Sequence, residues 1–252
     1  MSDCLDLDRV APTRRPELPN AGTQRWRELL FVHWSFEPEV VRPLVPAAFE
    51  LDLWRGRAWV GLVPFRMEET RPSFLPRRAG LDFLETNLRT YVHRDGEPGV
   101  FFFSLEASSW LAVRAARLMW TLPYFHAEMT AGRDGARVAY RSTRIEGSAP
   151  ALLDVTYDVG PELGPSTVGS LQHFLLERYL LFVERRGRPV KGHVAHRPYP
   201  AREAKIVSLE ESILSAAGLP AGGRLETVHY SDGVEVEVFG PFVPGAVSAS
   251  GA

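Results

Sequence analysis

What most constrains the fold is a series of tight-turn sequences, each set between two short runs of apolar and aromatic residues. Arg55-Gly56 separates Leu51–Trp54 from Arg57–Phe65, and Asp95-Gly96 lies between Thr86–His93 and Gly99–Ala107. Gly132-Arg133-Asp134-Gly135 joins Phe125–Thr130 to Ala136–Arg144, and Ser231-Asp232-Gly233 joins Val228–Tyr230 to Val234–Phe239. Gly and Asp accept the left-handed backbone that such turns need, so each set predicts a β-hairpin. Leu29–Trp34 and Ala151–Val159 read as further strands from their apolar runs. Helical spacing is confined to Ser109–Trp120, Ser170–Leu181 and Leu209–Ala217, with a short turn over Glu39–Leu44. Strands and helices do not alternate, which argues against a doubly wound parallel sheet. The expected class is α+β: a mainly antiparallel sheet with about three peripheral helices.

Between residues 23 and 243 there is no Gly/Ser linker, repeat or low-complexity block, so this stretch is expected to be a single domain. Residues 1–22 read as a flexible leader and 244–252 as a disordered tail. A net charge of −2 offers no global field for nucleic acid or an anionic membrane surface. One cysteine, Cys4, excludes an internal disulfide. With no secretory h-region and no long apolar run, a cytoplasmic protein without a membrane partner is expected. Oligomeric state is left open.

The common nucleotide and hydrolase motifs are missing: there is no GxSxG, no P-loop, no GxGxxG and no HExxH. His173 with Glu177, and His193 with His196, are pairs only, so neither a metal nor any other cofactor is expected. The arginines of Arg185-Arg186-Gly187-Arg188 read as a solvated turn.

The segment 87–92 carries the clearest site signal. On a strand, Asn87, Arg89 and Tyr91 share one face. A four-residue loop over Asp95–Pro98 is preferred, because a shorter one places Pro98, which has no N–H, in the ladder. That register sets Asn87 opposite Glu106, Arg89 opposite Ser104 and Tyr91 opposite Phe102. Convergent polar groups in an apolar neighbourhood describe a small-molecule pocket. The competing reading is a solvent-facing sheet surface with an ordinary Arg–Glu pair. A second candidate is Tyr124-Phe125-His126-Ala127-Glu128, where His126 titrates in the range useful for acid–base work.

Several stretches together resemble the YqjF-like family of uncharacterised bacterial proteins, within the acetoacetate-decarboxylase-like superfamily. They are Phe31–Trp34, Arg57–Phe65, Asn87–Val92, Leu122–Ala127 and Gly169–Tyr179, and the similarity runs over about residues 24–240. The resemblance implies a cone-like β barrel around a small-molecule cavity. Members that decarboxylate acetoacetate use a Pro-Lys-Lys segment, whose lysine forms a Schiff base. The corresponding stretch here is Pro123-Tyr124-Phe125, which cannot form an imine, and the only lysines are Lys191 and Lys205.

The expectation is therefore a pocket for an organic anion, without Schiff-base decarboxylation. Arg89 would hold a carboxylate, with Asn87, Tyr91, Ser104 and Tyr124 beside it and Glu106 and His126 as acid–base groups. A non-catalytic sensor using the same pocket, or a structural or partner-binding domain with a filled cavity, stays open.

Overall fold

The computed structural model describes residues 7–147, 149–220 and 223–242. Twelve strands dominate: β1 Gly22–Phe36, β2 Glu50–Leu51, β3 Ala58–Pro72, β4 Leu81–Arg94, β5 Glu97–Ala107, β6 Tyr124–Asp134, β7 Arg137–Arg144, β8 Leu152–Glu162, β9 Leu180–Arg185, β10 Arg188–Ala195, β11 Ala201–Glu211 and β12 Arg224–Phe242. Four short helices accompany them: α1 Pro38–Val41, α2 Trp110–Trp120, α3 Leu171–Leu176 and α4 Ile213–Ala216. The sheet order is β10-β9-β5-β6-β7-β8-β11-β12-β1-β3-β4-β2, with β4 also paired to β5 and β10 to β12. The pairings are antiparallel except β5–β6 and β5–β9, which are parallel, so the curved sheet is mixed but mainly antiparallel.

Those two extra pairings bend the sheet round on itself. Hydrogen-bonded neighbours run in a circuit from β12 through β1, β3, β4, β5, β9 and β10 back to β12. A second path, β5-β6-β7-β8-β11-β12, closes on the other side of the same central strands. The central strands therefore have protein on both faces. β4 is buried from Phe83 to His93, which explains why it reads as nearly continuous apolar and mixed sequence instead of clean alternation. Two apolar cores result. Leu30, Val32, Leu62, Leu88, Tyr140 and Val155 pack on one side, and Leu29, Phe31, Val63, Phe65, Leu105 and Val194 on the other.

Helix α2 follows its expected bounds, with the Ser109 hydroxyl accepting from the Ala112 N–H at its start. Two other helices are shorter than their periodicity suggests. Helix α3 stops at Leu176, because Leu180–Val183 are taken by β9 against β5 and β10. Residues up to Glu211 belong to β11, paired along β8, which leaves α4 four residues long. The predicted hairpin over Ser231-Asp232-Gly233 does not form. These residues lie within the unbroken strand β12, where Ser231 pairs with Leu29 and Gly233 with Arg27. Tertiary pairing along β1 outweighs the local turn signal.

The leader meets the body at several points: Arg9 binds Asp52 at 2.5 and 2.7 Å, the Pro12 carbonyl lies 2.8 Å from His193 Nε2, and Arg15 binds Glu237. The tail expected over 244–252 lies outside the described residues. No helix is long and apolar enough to cross a membrane among the described residues.

Candidate functional site

A cavity of about 270 Å³ lies inside the first circuit. Each of the seven strands of that circuit contributes to its wall, including Trp26 of β1, Phe65 of β3, Arg89 of β4, Phe102 of β5, Leu181 of β9, Val194 of β10 and Val238 of β12. Helix α2 closes one flank with Ala112, Ala116, Met119 and Trp120. Most of the wall is apolar. The polar groups converge from β4 and the segments packed on it.

The geometry of β4 is set by its hairpin with β5. Asp95 and Gly96 both have left-handed backbone, φ 51° and 81°, and make a two-residue turn. Arg94 pairs with Glu97 and His93 with Pro98, so the expected four-residue loop is corrected. Pro98 is tolerated because the pair next to the turn-closing pair in such a hairpin exchanges no hydrogen bonds. A register shift between Leu88 and Arg89 then sets Asn87 opposite Leu105, Arg89 opposite Phe102 and Tyr91 opposite Val100. Glu106 and Ser104 fall opposite Thr86 and Leu88, on the far face of the sheet.

The cavity face of β4 thus presents Glu85, Asn87 and Arg89, all lining the wall. Glu85 is only 3 % exposed, and the Tyr124 hydroxyl donates to its Oε2 at 2.7 Å. Burial pushes the Glu85 carboxyl up to about 7, against the downward pull of hydrogen bonds from Tyr124 and Asn87. The Tyr124 phenol is pushed well above its ordinary range by burial and by the neighbouring carboxylate. Tyr124 therefore stays protonated as the donor, and Glu85 is the member of the pair that titrates near neutrality.

Arg89 is 7 % exposed and has no carboxylate within ion-pair distance among the described residues. Its Nη2 donates to the Leu175 carbonyl at 3.2 Å, and its Nε has no partner among the described residues. The guanidinium sits over the Phe31 and Tyr91 rings, 5.6 and 5.8 Å from their centroids. The Tyr91 hydroxyl also donates to the Leu175 carbonyl, at 2.9 Å, and lies 2.8 Å from His33 Nε2. Burial first, and then the Arg89 charge, hold His33 well below its ordinary value, so it is neutral. A second guanidinium, Arg178, also lines the cavity. It binds Asp52 at 2.8 Å and the Phe174 carbonyl at 2.7 Å, and its Nη2 is unpartnered among the described residues.

Of the residues singled out from sequence, Asn87, Arg89 and Tyr124 come together on the cavity wall, with Tyr91 directly behind Arg89. Glu106 does not join them. Its carboxylate binds Arg144, which it meets on the side facing β7, and Ser104 Oγ lies 3.4 Å from the same carboxylate. His126 is half-buried beside Ala107 and is not part of the cavity wall; its backbone N–H donates to Glu146. Lys191 Nζ binds the Glu97 carboxylate at 2.6 and 2.8 Å, and Lys205 is exposed on β11. Glu85, Arg178 and Tyr199 are wall residues that sequence reading missed. Glu85 was within reach, since it precedes Asn87 by two positions and so shares its strand face. Among the described residues no group of three or more His, Cys, Asp or Glu side chains is placed to hold a metal.

A curved sheet closed around such a cavity defines a protein of the acetoacetate-decarboxylase-like fold. The acetoacetate decarboxylase of Legionella pneumophila superposes with a TM-score of 0.57 at 14% identity, over 90% of this chain and 92% of that one. The enduracididine biosynthesis enzyme MppR, in its complex with pyruvate, superposes with a TM-score of 0.58 at 12% identity, over 91% and 93% of the two chains. At these identities the likeness establishes the fold alone. The chain itself belongs to the DUF2071 family, described as an uncharacterized conserved protein, whose model matches residues 23–235. The uncharacterized protein YqjF of Bacillus subtilis (strain 168) is 35% identical over 211 residues, which are 82% of this chain and 86% of that protein.

Proposed function

We propose that the cavity takes a small organic anion whose carboxylate is held by Arg89, with Glu85 as the group that gives or accepts a proton. One observation carries this: Arg89 is a buried guanidinium without a carboxylate partner among the described residues, facing a cavity, with an unused N–H. A buried charge held only by a neutral carbonyl and two ring faces is several kcal/mol short of what a carboxylate supplies. An incoming anion provides that partner. Pyruvate in the MppR complex is an anion of this size, on the same fold. The acid–base role first given to Glu106 and His126 passes to Glu85, since Glu106 is committed to Arg144 and His126 lies off the wall. Schiff-base chemistry is not part of the proposal: neither lysine of the chain lines the cavity.

The test is titration calorimetry with acetate, pyruvate, acetoacetate, hexanoate and benzoate, each set against its neutral amide. Acids should bind and amides should not. Arg89→Lys keeps the charge but loses the planar fork and should weaken binding at least tenfold. Arg89→Met should abolish it with little loss of stability, because no buried carboxylate is left unpaired. Borohydride treatment with acetoacetate should leave the protein mass unchanged. Equal binding of acids and amides, or unaltered binding by the Arg89→Met protein, refutes the assignment.

A further inference from the structure

A second concavity of about 490 Å³ opens beside the first, and the two share Thr23, Gln24 and Arg71. Its wall is arginine-rich: Arg15, Arg25, Arg71, Arg77 and Arg197, against Glu69, Glu235 and Glu237. Five cations against three anions leave a surplus of two positive charges, and Glu235 is further shared with Arg27 outside the cleft. Glu69 binds both Arg25 and Arg77, Arg25 also binds Glu235, and Arg71 donates to the Glu69 carbonyl at 3.1 Å with the Glu69 carboxylate 3.9 Å away. Arg71, at the junction, therefore has only a carboxylate already shared with two other arginines, and the exposed Arg197 has none within ion-pair distance among the described residues.

The neck between the two spaces is polar and unsatisfied. Thr23 Oγ1 and Thr70 Oγ1 are buried without partners among the described residues, and Thr70 lines the inner cavity. His196, which lines the cleft, has an unpartnered buried Nε2 and packs against Trp26 and Tyr199 of the inner wall. Burial pushes His196 down to about 4, so it stays a neutral hydrogen-bonding group and adds no charge of its own.

We infer that the ligand of this protein is an apolar molecule with an anionic group at each end, the inner on Arg89 and the outer in the arginine cleft at Arg71 and Arg197. The inference rests on the Arg89 reading and adds the second anion. The apolar wall between the ends calls for an aliphatic or aromatic body. Length follows from the strands: Arg89 and Leu81 are eight residues apart on β4, and Thr70 pairs with Leu81. Eight residues span about 26 Å of strand, so bridging the two ends calls for a ligand with an extended apolar body and not a two- or three-carbon acid.

The experiment compares two series by titration calorimetry: hexanoate, octanoate, decanoate and dodecanoate, and the matching α,ω-dicarboxylates adipate, suberate, sebacate and dodecanedioate. Beyond a threshold length the dicarboxylate should bind at least tenfold tighter than the monocarboxylate of equal length. Arg197→Met, outside the inner cavity, should remove that gain and leave monocarboxylate affinity unchanged, and Arg71→Met, at the junction, should remove the gain as well. In the Arg89→Met protein the dicarboxylates should lose their advantage over monocarboxylates of equal length, and what binding remains should be weak and salt-sensitive, through the cleft alone. Dicarboxylates that bind no tighter at any length, or a gain that survives both cleft variants, overturn the second anion while leaving the Arg89 reading intact. If neither series binds, the Arg89 reading falls and the inference falls with it.

Discussion

Replacing Glu85 with glutamine isolates the cost of keeping a carboxyl inside the cavity. The folded protein holds this group near 7 against an ordinary value of 4.5. The folded value is raised, so the folded state binds the proton more tightly than the unfolded chain does. Stability contributed by this group is therefore full in acid and falls as pH rises from the ordinary carboxylate range through 7. Carried from its ordinary value to about 7, the group costs about 3 kcal/mol at 1.36 kcal/mol per pH unit. Under a third of this is felt at pH 5 and nearly all of it at pH 8, a difference of about 2–3 kcal/mol. The glutamine amide is neutral throughout, and its Oε1 can still accept from the Tyr124 hydroxyl. Urea denaturation of both proteins between pH 5 and 8 measures the effect. The Glu85→Gln protein should gain about 2–3 kcal/mol on the parent across that interval. Contributions from His33, His196 and the surface carboxylates appear in both curves and cancel in the difference. Parallel curves, or a parent that gains on the variant as pH rises, would refute the placement of this carboxyl in a water-poor wall.

The far face of β4 offers a complementary case. Arg144→Met strands the fully buried Glu106 carboxylate and should cost about 3–5 kcal/mol, whereas the double variant Glu106→Gln/Arg144→Met should recover most of the loss; equal denaturation midpoints for single and double variants contradict this. Gly233 has φ +129°, and an added Cβ would collide with the Trp26 carbonyl oxygen. Gly233→Ala should lower stability by about 1–3 kcal/mol or more, while Gly132→Ala, whose Cβ meets nothing within 4 Å, should be close to neutral in the same thermal melts.

The Arg89 site shows how far one strand can be read in isolation. That Asn87, Arg89 and Tyr91 share a face follows from the two-residue period of any strand. Whether that face is buried or turned to solvent stayed open until the strands on either side of β4 were in place. Which residues stand opposite did not follow. The choice between turn lengths hinged on Pro98, and its tolerance depends on whether its position in the ladder exchanges hydrogen bonds. The register that resulted moved Glu106 from Arg89's side to Arg144's. A guanidinium expected to have a counter-ion is left without one, and this is the observation on which the anion reading stands.

Local chemistry was enough for the hairpin at Asp95-Gly96, helix α2 with its Ser109 cap, the scarcity of helices and the mainly antiparallel pairing, because each depends on residues a few positions apart. Three features depended on partners far along the chain. Leu180–Val183 became a strand instead of helix because β5 and β10 were there to bond it. Ser231-Asp232-Gly233 ran straight through because β1 held both halves in one ladder. The circuit closes only through β4–β5 and β10–β12, and it is this closure that places Glu85 and Arg89 of β4 on one cavity wall with Arg178, from the segment before β9. Backbone hydrogen-bonding groups must all find partners in a buried sheet, and that demand is met by whichever strands the whole fold brings alongside, not by the residues next in sequence.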